Sequence, residues 1–259
     1  MILTADYHTH TVFSHGKGTI EENALAAKAA GLKEIGISDH GFAHPAFGLT
    51  ASDLPEMRKD CDLATEKTGV KTLLGIESNF VDADGATDLK TKYYDYFDIY
   101  LAGVHKFVMY KIGTLFSMAI PNFFLSKSKR PKPSERLIRE NTAAYINVIK
   151  KNPVDVITHL NYCCFANAAE VAKAAADYGT YIELNAKKVH LTDEELYAVE
   201  KTGVNFVIGS DAHTPDRVGE ISLVKKMLER VNIPEERIMN INGKTPDFRF
   251  KKFKENAGR

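Results

Sequence analysis

A chain of 259 residues with 44% hydrophobic and 26% charged residues can bury one sizeable α/β core, which excludes a disordered polymer and a coiled coil. Lysine plus arginine balances aspartate plus glutamate at 34 each, so no chain-wide positive field draws nucleic acid, and any anion-binding patch must be local. Cys61, Cys163 and Cys164 form neither a CxxC pair nor a disulfide framework. With an N-terminus, MILTADYHTHT, that lacks the basic and then apolar order of a secretory signal, they suit a reducing cytoplasm.

In chain order, β-rich runs are predicted over 3–7, 34–38, 72–76, 98–103, 154–158, 180–184 and 205–209, with helical stretches between most of them. Thr19 with Glu22 and Thr192 with Glu195 fit capping boxes, and Gly31 and Gly203 stand where helices stop. The first run leads into His8, His10 and His15, the second into His40, the third into Glu77, and the fourth into His105. A connection from Lys106 to Glu135 then interrupts the pattern. Its first half, from Phe107 to Leu125, is mostly apolar, but Lys111, Gly113, Pro121 and Asn122 break it too often for a membrane span. Its second half, SKSKRPKPSE, is basic, and a segment this long reads as a lid over the site, a surface that packs against another subunit, or a passive insertion with a solvated basic tip. The fifth run ends at His159 and the sixth at Asn185, whereas the seventh is followed by Asp211 and His213. The basic tail from Asn242 to Arg259 shows no apolar period and is expected to be solvated.

Repeated βα units predict a parallel sheet covered by helices, and seven of them suggest a barrel more than an open doubly wound sheet. In a barrel the C-terminal ends of parallel strands converge on one face, so residues about 200 apart become neighbours there. Nine candidate metal ligands occupy that end: His8, His10, His15, His40, Glu77, His105, His159, Asp211 and His213. His8-Thr9-His10 and Asp211-Ala212-His213 have a spacing of two, which projects both side chains of an extended segment to the same side. Of the nine histidines only His44 and His190 fall outside the pattern. Imidazoles mixed with carboxylates, without thiolates, suit zinc, manganese or iron. Nine ligands exceed what one ion uses, so two or three divalent ions are expected, with Glu77 as a natural bridge.

The ordered string DYHTHTVFSHG, ISDHG, GIE, His105, His159 and GSDAH, spanning residues 6 to 213, resembles the polymerase and histidinol phosphatase (PHP) family, in spacing its stand-alone phosphatase branch. The resemblance implies a distorted seven-stranded (β/α)7 TIM-like barrel over residues 1–259. It also implies one metal held by His8, His10, Glu77 and Asp211, a second by Glu77, His105 and His159, and a third by His15, His40 and His213. No ligand position is substituted, so hydrolysis of a small phosphate monoester by a metal-activated water is the expectation, with histidinol phosphate as the model substrate.

Among other residues, Asp39 is placed to orient an imidazole or shuttle a proton, Arg217 to bind the phosphate, and Lys17 and Asn185 to contact substrate; Lys187 and Lys188 are weaker choices. Cys163 and Cys164 read as buried small hydrophobes. Three alternatives stay open: a nuclease or nucleotide phosphatase using Tyr110, Phe123 and Phe124 beside Lys127, Lys129 and Arg130; a non-catalytic metal-binding module; and an amidohydrolase, which would want a lysine where His105 stands and has Lys106 next door.

Overall fold

The computed structural model describes residues 1–126 and 132–258. Seven strands, β1 (Ala5–Thr9), β2 (Glu34–Ile37), β3 (Lys71–Asn79), β4 (Ile99–Gly103), β5 (Val156–Ile157), β6 (Tyr181–Asn185) and β7 (Phe206–Gly209), pair in parallel in sequence order. The sheet curls until its edges approach: Thr9 bridges Ala212, and the His10 amide donates to the Ala212 carbonyl at 2.8 Å. A nearly closed, distorted α/β barrel of the TIM type results, as the repeated βα pattern predicts. Both predicted capping boxes form, and their helices, Ile20–Ala29 and Asp193–Glu200, end before Gly31 and Gly203.

The strands alternate with period two between the barrel interior and the helix layer. On β4, Ile99 and Leu101 point inward, while Tyr100 and Ala102 join the outer core under the helices. Ala5, Tyr7, Val156, Tyr181 and Val207 complete the inner cluster. The same parity carries Leu73 and then Glu77 inward on β3, and Tyr181 and then Glu183 on β6, so apolar residues fill the lower barrel and carboxylates emerge near its C-terminal end. On β1 the register shifts between Asp6 and Thr9, which moves His8 to the same face as Tyr7 and lets both His8 and His10 reach the interior cluster.

The opposite end of the barrel is sealed by residues 238–250; within the tail predicted as solvated, Phe248 and Phe250 are buried, whereas most of the rest is exposed. Ile238 bridges Phe206 and Ile241 bridges Leu3, so the segment threads between β7 and β1. Asn240 fixes it there: its Nδ2 donates to the Ala5 and Ile208 carbonyls at 2.8 and 2.7 Å, and its Oδ1 accepts from the Ile208 amide at 2.9 Å. Phe248 then plugs the barrel, its ring edge-on to Tyr7 at 5.0 Å, and Phe250 packs edge-on against Tyr94 and Tyr100.

Residues 112–126 of the connection after β4 are helical rather than a loop. Ile112–Thr114, a π-helical turn Leu115–Ala119 and Ile120–Ser126 run on without a break before the long helix Glu135–Lys151. Pro121 is accommodated because it falls in the first turn after the π segment. Lys127, Lys129, Arg130 and Pro131 lie outside the described residues. No helix among the described residues is long and apolar enough to cross a membrane.

Candidate metal centre

Glu77, fully buried at the upper end of β3, is the hub. Its Oε1 lies 2.7 Å from His159 Nε2, 3.1 Å from His105 Nε2 and 3.3 Å from His8 Nε2. Its Oε2 lies 3.0 Å from His40 Nδ1 and 3.7 Å from His10 Nε2. Burial alone would raise this carboxyl, but the facing His105, His8 and His159 rings outweigh it and hold Glu77 well below the usual carboxylate range. Room for the arrangement comes from a glycine: a Cβ at Gly103 would collide with Thr158 Oγ1 and come within 2.8 Å of the His159 ring.

Asp211 closes the other side, with Oδ1 at 3.5 Å from His10 Nε2, 3.3 Å from His213 Nδ1 and 3.1 Å from Lys187 Nζ. Burial opposes its ionisation, yet His8, His10 and Lys187 pull it well below the ordinary range. Asp211 and His159 have φ of +50° and +28°, a backbone region that non-glycine residues avoid and that is found mostly where function over-determines the chain.

All nine predicted ligands thus converge. Three triads bring ligand atoms within 4.8 Å of one another: His8, His10 and Asp211; His40, Glu77 and His105; and His10, His40 and His213. The last two differ from the sequence expectation, which pairs His159 with His105 and puts His15 with His40 and His213. His159 bonds Glu77 directly, and the His15 ring stacks on His40 at 4.7 Å and 6° and lies edge-on to His213 at 4.1 Å.

The chemistry of the donor set fits divalent metal ions. His8 Nε2, both His10 nitrogens, His15 Nδ1, His40 Nδ1, His105 Nε2 and Glu77 Oε2 are buried without a hydrogen-bond partner among the described residues. Buried polar atoms are otherwise almost always paired, and a cation at this end would partner them together. Burial, aided by neighbouring rings, keeps His10 well below its usual range and lowers His15 to about 3, and burial also lowers His213. Neutral imidazoles beside ionised carboxylates are the forms that ligate metals. His8 is the exception: burial would lower it, but Glu77, Glu183 and Asp211 outweigh that and raise it well above.

Several supporting residues escaped sequence reasoning. Glu183 Oε1 takes His8 Nδ1 at 2.6 Å, and its Oε2 accepts from the His159 amide at 2.7 Å. Asn79 Oδ1 lies 2.8 Å from His105 Nδ1. Such partners fix tautomer and ring orientation in metal sites. The signal for Glu183 was its inward parity on β6, two residues before Asn185.

The other predicted site residues divide. Asp39 is buried and accepts from the Thr11 amide at 2.7 Å and from the Thr11 and Ser14 hydroxyls, which pins the His10–His15 loop; it is 4.0 Å from His10 Nδ1. Asn185 turns inward, donating to Glu183 at 3.0 Å and to Asp211 at 3.3 Å. Lys17 is exposed, and only its backbone engages the site, donating to the His213 carbonyl. Arg217 sits in a short 3₁₀ turn, Pro215–Arg217, and its guanidinium pairs with Glu220 at 3.0 Å; neither Lys17 nor Arg217 lines the cleft.

The cleft over the cluster measures about 520 Å³. Lys106, Lys187 and Lys188 line it, together with His44 and His190, which the strand-end pattern had set aside. His105, not Lys106, faces Glu77; the Lys106 ammonium lies 5.6 Å from the Tyr162 ring centre. Cys163 and Cys164 are buried free thiols whose burial raises them, Cys163 to about 12, so neither is poised as a nucleophile.

A family model described as the PHP domain matches residues 6–187. A protein of Acetivibrio thermocellus named probable phosphatase is 32% identical across all of both chains. One of Caldanaerobacter subterraneus, also named a probable phosphatase, is 32% identical over 92% of this chain and 87% of its own. The crystal structure of histidinol phosphate phosphatase from Lactococcus lactis, complexed with zinc, L-histidinol and phosphate, shares the fold with a TM-score of 0.59. It is 19% identical and covers 88% of this chain and 94% of its own.

Proposed function

The chain belongs to the PHP domain family, and on that premise we propose that it hydrolyses small phosphate monoesters, turning ester and water into alcohol and inorganic phosphate at a centre of two or three divalent ions. The observation that carries this reading is Glu77, whose two oxygens are faced by five imidazoles in a buried site where four of the facing nitrogens have no hydrogen-bond partner among the described residues. Zinc, manganese or iron held there would supply a water of lowered pKa and positive charge against the phosphate oxygens. His8, His10, Glu77 and Asp211 would hold one ion, Glu77, His105 and His159 a second, and His40 and His213 a third, joined by His10 or His15.

The chain's own residues do the positioning. Glu183 and Asn79 orient His8 and His105 from behind, and Asp39 holds the loop that carries His10 and His15. Lys187, between Asp211 and His213, presents its ammonium at the rim, with Lys106 and Lys188 beside it, where a dianionic phosphoryl group would dock.

The test is elemental analysis of metal-loaded protein together with phosphate release from histidinol phosphate, simple alkyl phosphates, nucleotides and oligonucleotides under zinc, manganese and iron. Two or three ions per chain with phosphomonoester turnover is the expected result. A stoichiometry near one, or turnover confined to oligonucleotides, would overturn it.

A further inference from the structure

Beside the metal cleft lies a second cavity of about 210 Å³, between the residues that follow β4 and the helical run of 112–126. The two cavities share His105, Lys106 and Phe107, so an ester lying over the cluster can extend one end into the second space. Its walls are carbon: Val104, Val108, Leu115, Met118, Ala119 and Ile120 contribute most of them.

Away from the mouth shared with the metal cleft, where His105 and Lys106 stand, the polar side chains on this wall are already engaged. Asn122 Nδ2 donates to the Met118 carbonyl at 2.8 Å and to Asn141 Oδ1 at 3.0 Å, and its Oδ1 accepts from Asn141 Nδ2 and the Phe165 amide. The Tyr110 hydroxyl donates to the His105 carbonyl at 2.7 Å, and Cys163 donates its thiol to the Val104 carbonyl. No donor or acceptor among them is left to reward a polar guest, and desolvating one there would cost free energy. The π turn Leu115–Ala119 sets Leu115, Met118 and Ala119 into the wall, and π turns recur at functional sites. At the junction, Phe107 has φ of +61° and its ring is 5.6 Å from that of Phe123.

Resting on the phosphomonoesterase reading, we propose that this cavity takes the apolar part of the organic group esterified to the phosphate. The substrates are then phosphomonoesters of compact, largely apolar alcohols or phenols. A dry apolar cavity of roughly 150 Å³ holds benzene, so this one has room for a substituted ring or a short chain.

The experiment compares metal-loaded protein on alkyl phosphates from methyl to hexyl, on phenyl phosphate and on glycerol phosphate. kcat/KM should rise roughly fourfold per added methylene until the space is full, with glycerol phosphate well below butyl phosphate. A second readout needs no phosphate: benzyl alcohol and hexanol should shift the methyl resonance of Met118. Ala119→Trp should fill the cavity, flatten the chain-length series to under about twofold and abolish the resonance shift. Ile120→Asn, on the partly exposed wall, should lower both without having to fit a large ring. A flat series in the parent protein overturns the proposal, as does an unchanged gradient in a variant that keeps its circular dichroism and metal content. If no phosphomonoester is hydrolysed while Met118 still responds to the alcohols, the phosphatase reading fails and the cavity's preference for apolar groups stands.

Discussion

The two ends of the barrel are made from the same strands and differ in how their polar groups are satisfied. At the N-terminal end Asn240 makes three hydrogen bonds that join β1 to β7, and Phe248 fills the interior with carbon. At the C-terminal end Glu77, Glu183 and Asp211 meet seven histidines, several buried nitrogens have no partner among the described residues, and two ligand positions hold left-handed backbone. One end is satisfied within the chain, and at the other the unpartnered buried nitrogens stand where a cation could bind. Stability is therefore expected to reside at the first end and chemistry at the second, as in other barrels of this class.

The contrast breaks or sharpens most on the pair Glu77→Gln and Phe248→Ala. Removing the charge of Glu77 should lower metal content and reduce phosphate release by roughly 10³-fold, while the metal-free protein melts within a few degrees of its parent. Removing the Phe248 ring should cost about 3–5 kcal/mol of stability in urea titration and leave kcat of the folded, loaded protein within about twofold. Wild-type metal content in Glu77→Gln would take Glu77 out of the bridging role. A Phe248→Ala protein of undiminished stability would show that the plug is dispensable.

A smaller effect is expected one layer behind the ligands. Glu183→Gln keeps the shape of the side chain but replaces one oxygen with a donor facing either His8 Nδ1 or the His159 amide and Asn185 Nδ2. Metal affinity, measured by competition with a chelator, should weaken by about 10- to 100-fold. An unchanged affinity would mean that Gly209, whose added Cβ would strike Glu183 and approach His8 Cβ at 3.0 Å, shapes the pair by packing alone.

The convergence of the nine candidate ligands was legible because parallel strands meet at one end and each candidate stands within a few residues of a strand end. Glu183 was not, because a glutamate inside YIELN reads as an ordinary strand residue until its inward neighbours Tyr181 and Asn185 are known. The tail was partly misread for a related reason: Phe248 and Phe250 act as a plug and a wedge rather than as a periodic face, so their apolar signal is lost among lysines. The connection after β4 read as a loop because Gly113 and Pro121 interrupt it, yet each falls where the helical run tolerates it, near the start or just after the π turn.

The smallest expected effect separates two cations. Chain proximity to His213 made Arg217 the natural phosphate ligand, but the 3₁₀ turn at Pro215–Arg217 carries it away from the cleft and into an exposed pair with Glu220. Lys187 reaches the site from the end of β6 instead, within 3.1 Å of both Asp211 Oδ1 and His213 Nδ1. A cation that touches the dianion should change KM, whereas one paired on the surface contributes little and is screened by salt. Lys187→Ala should therefore raise KM for a phosphomonoester, and the inhibition constant for inorganic phosphate, by about tenfold; Arg217→Ala should change either by less than about twofold. Metal content must be unchanged in both for the comparison to hold. If Arg217→Ala proves the more damaging on KM, the guanidinium leaves Glu220 when substrate arrives, and the rim of the cleft rearranges on binding.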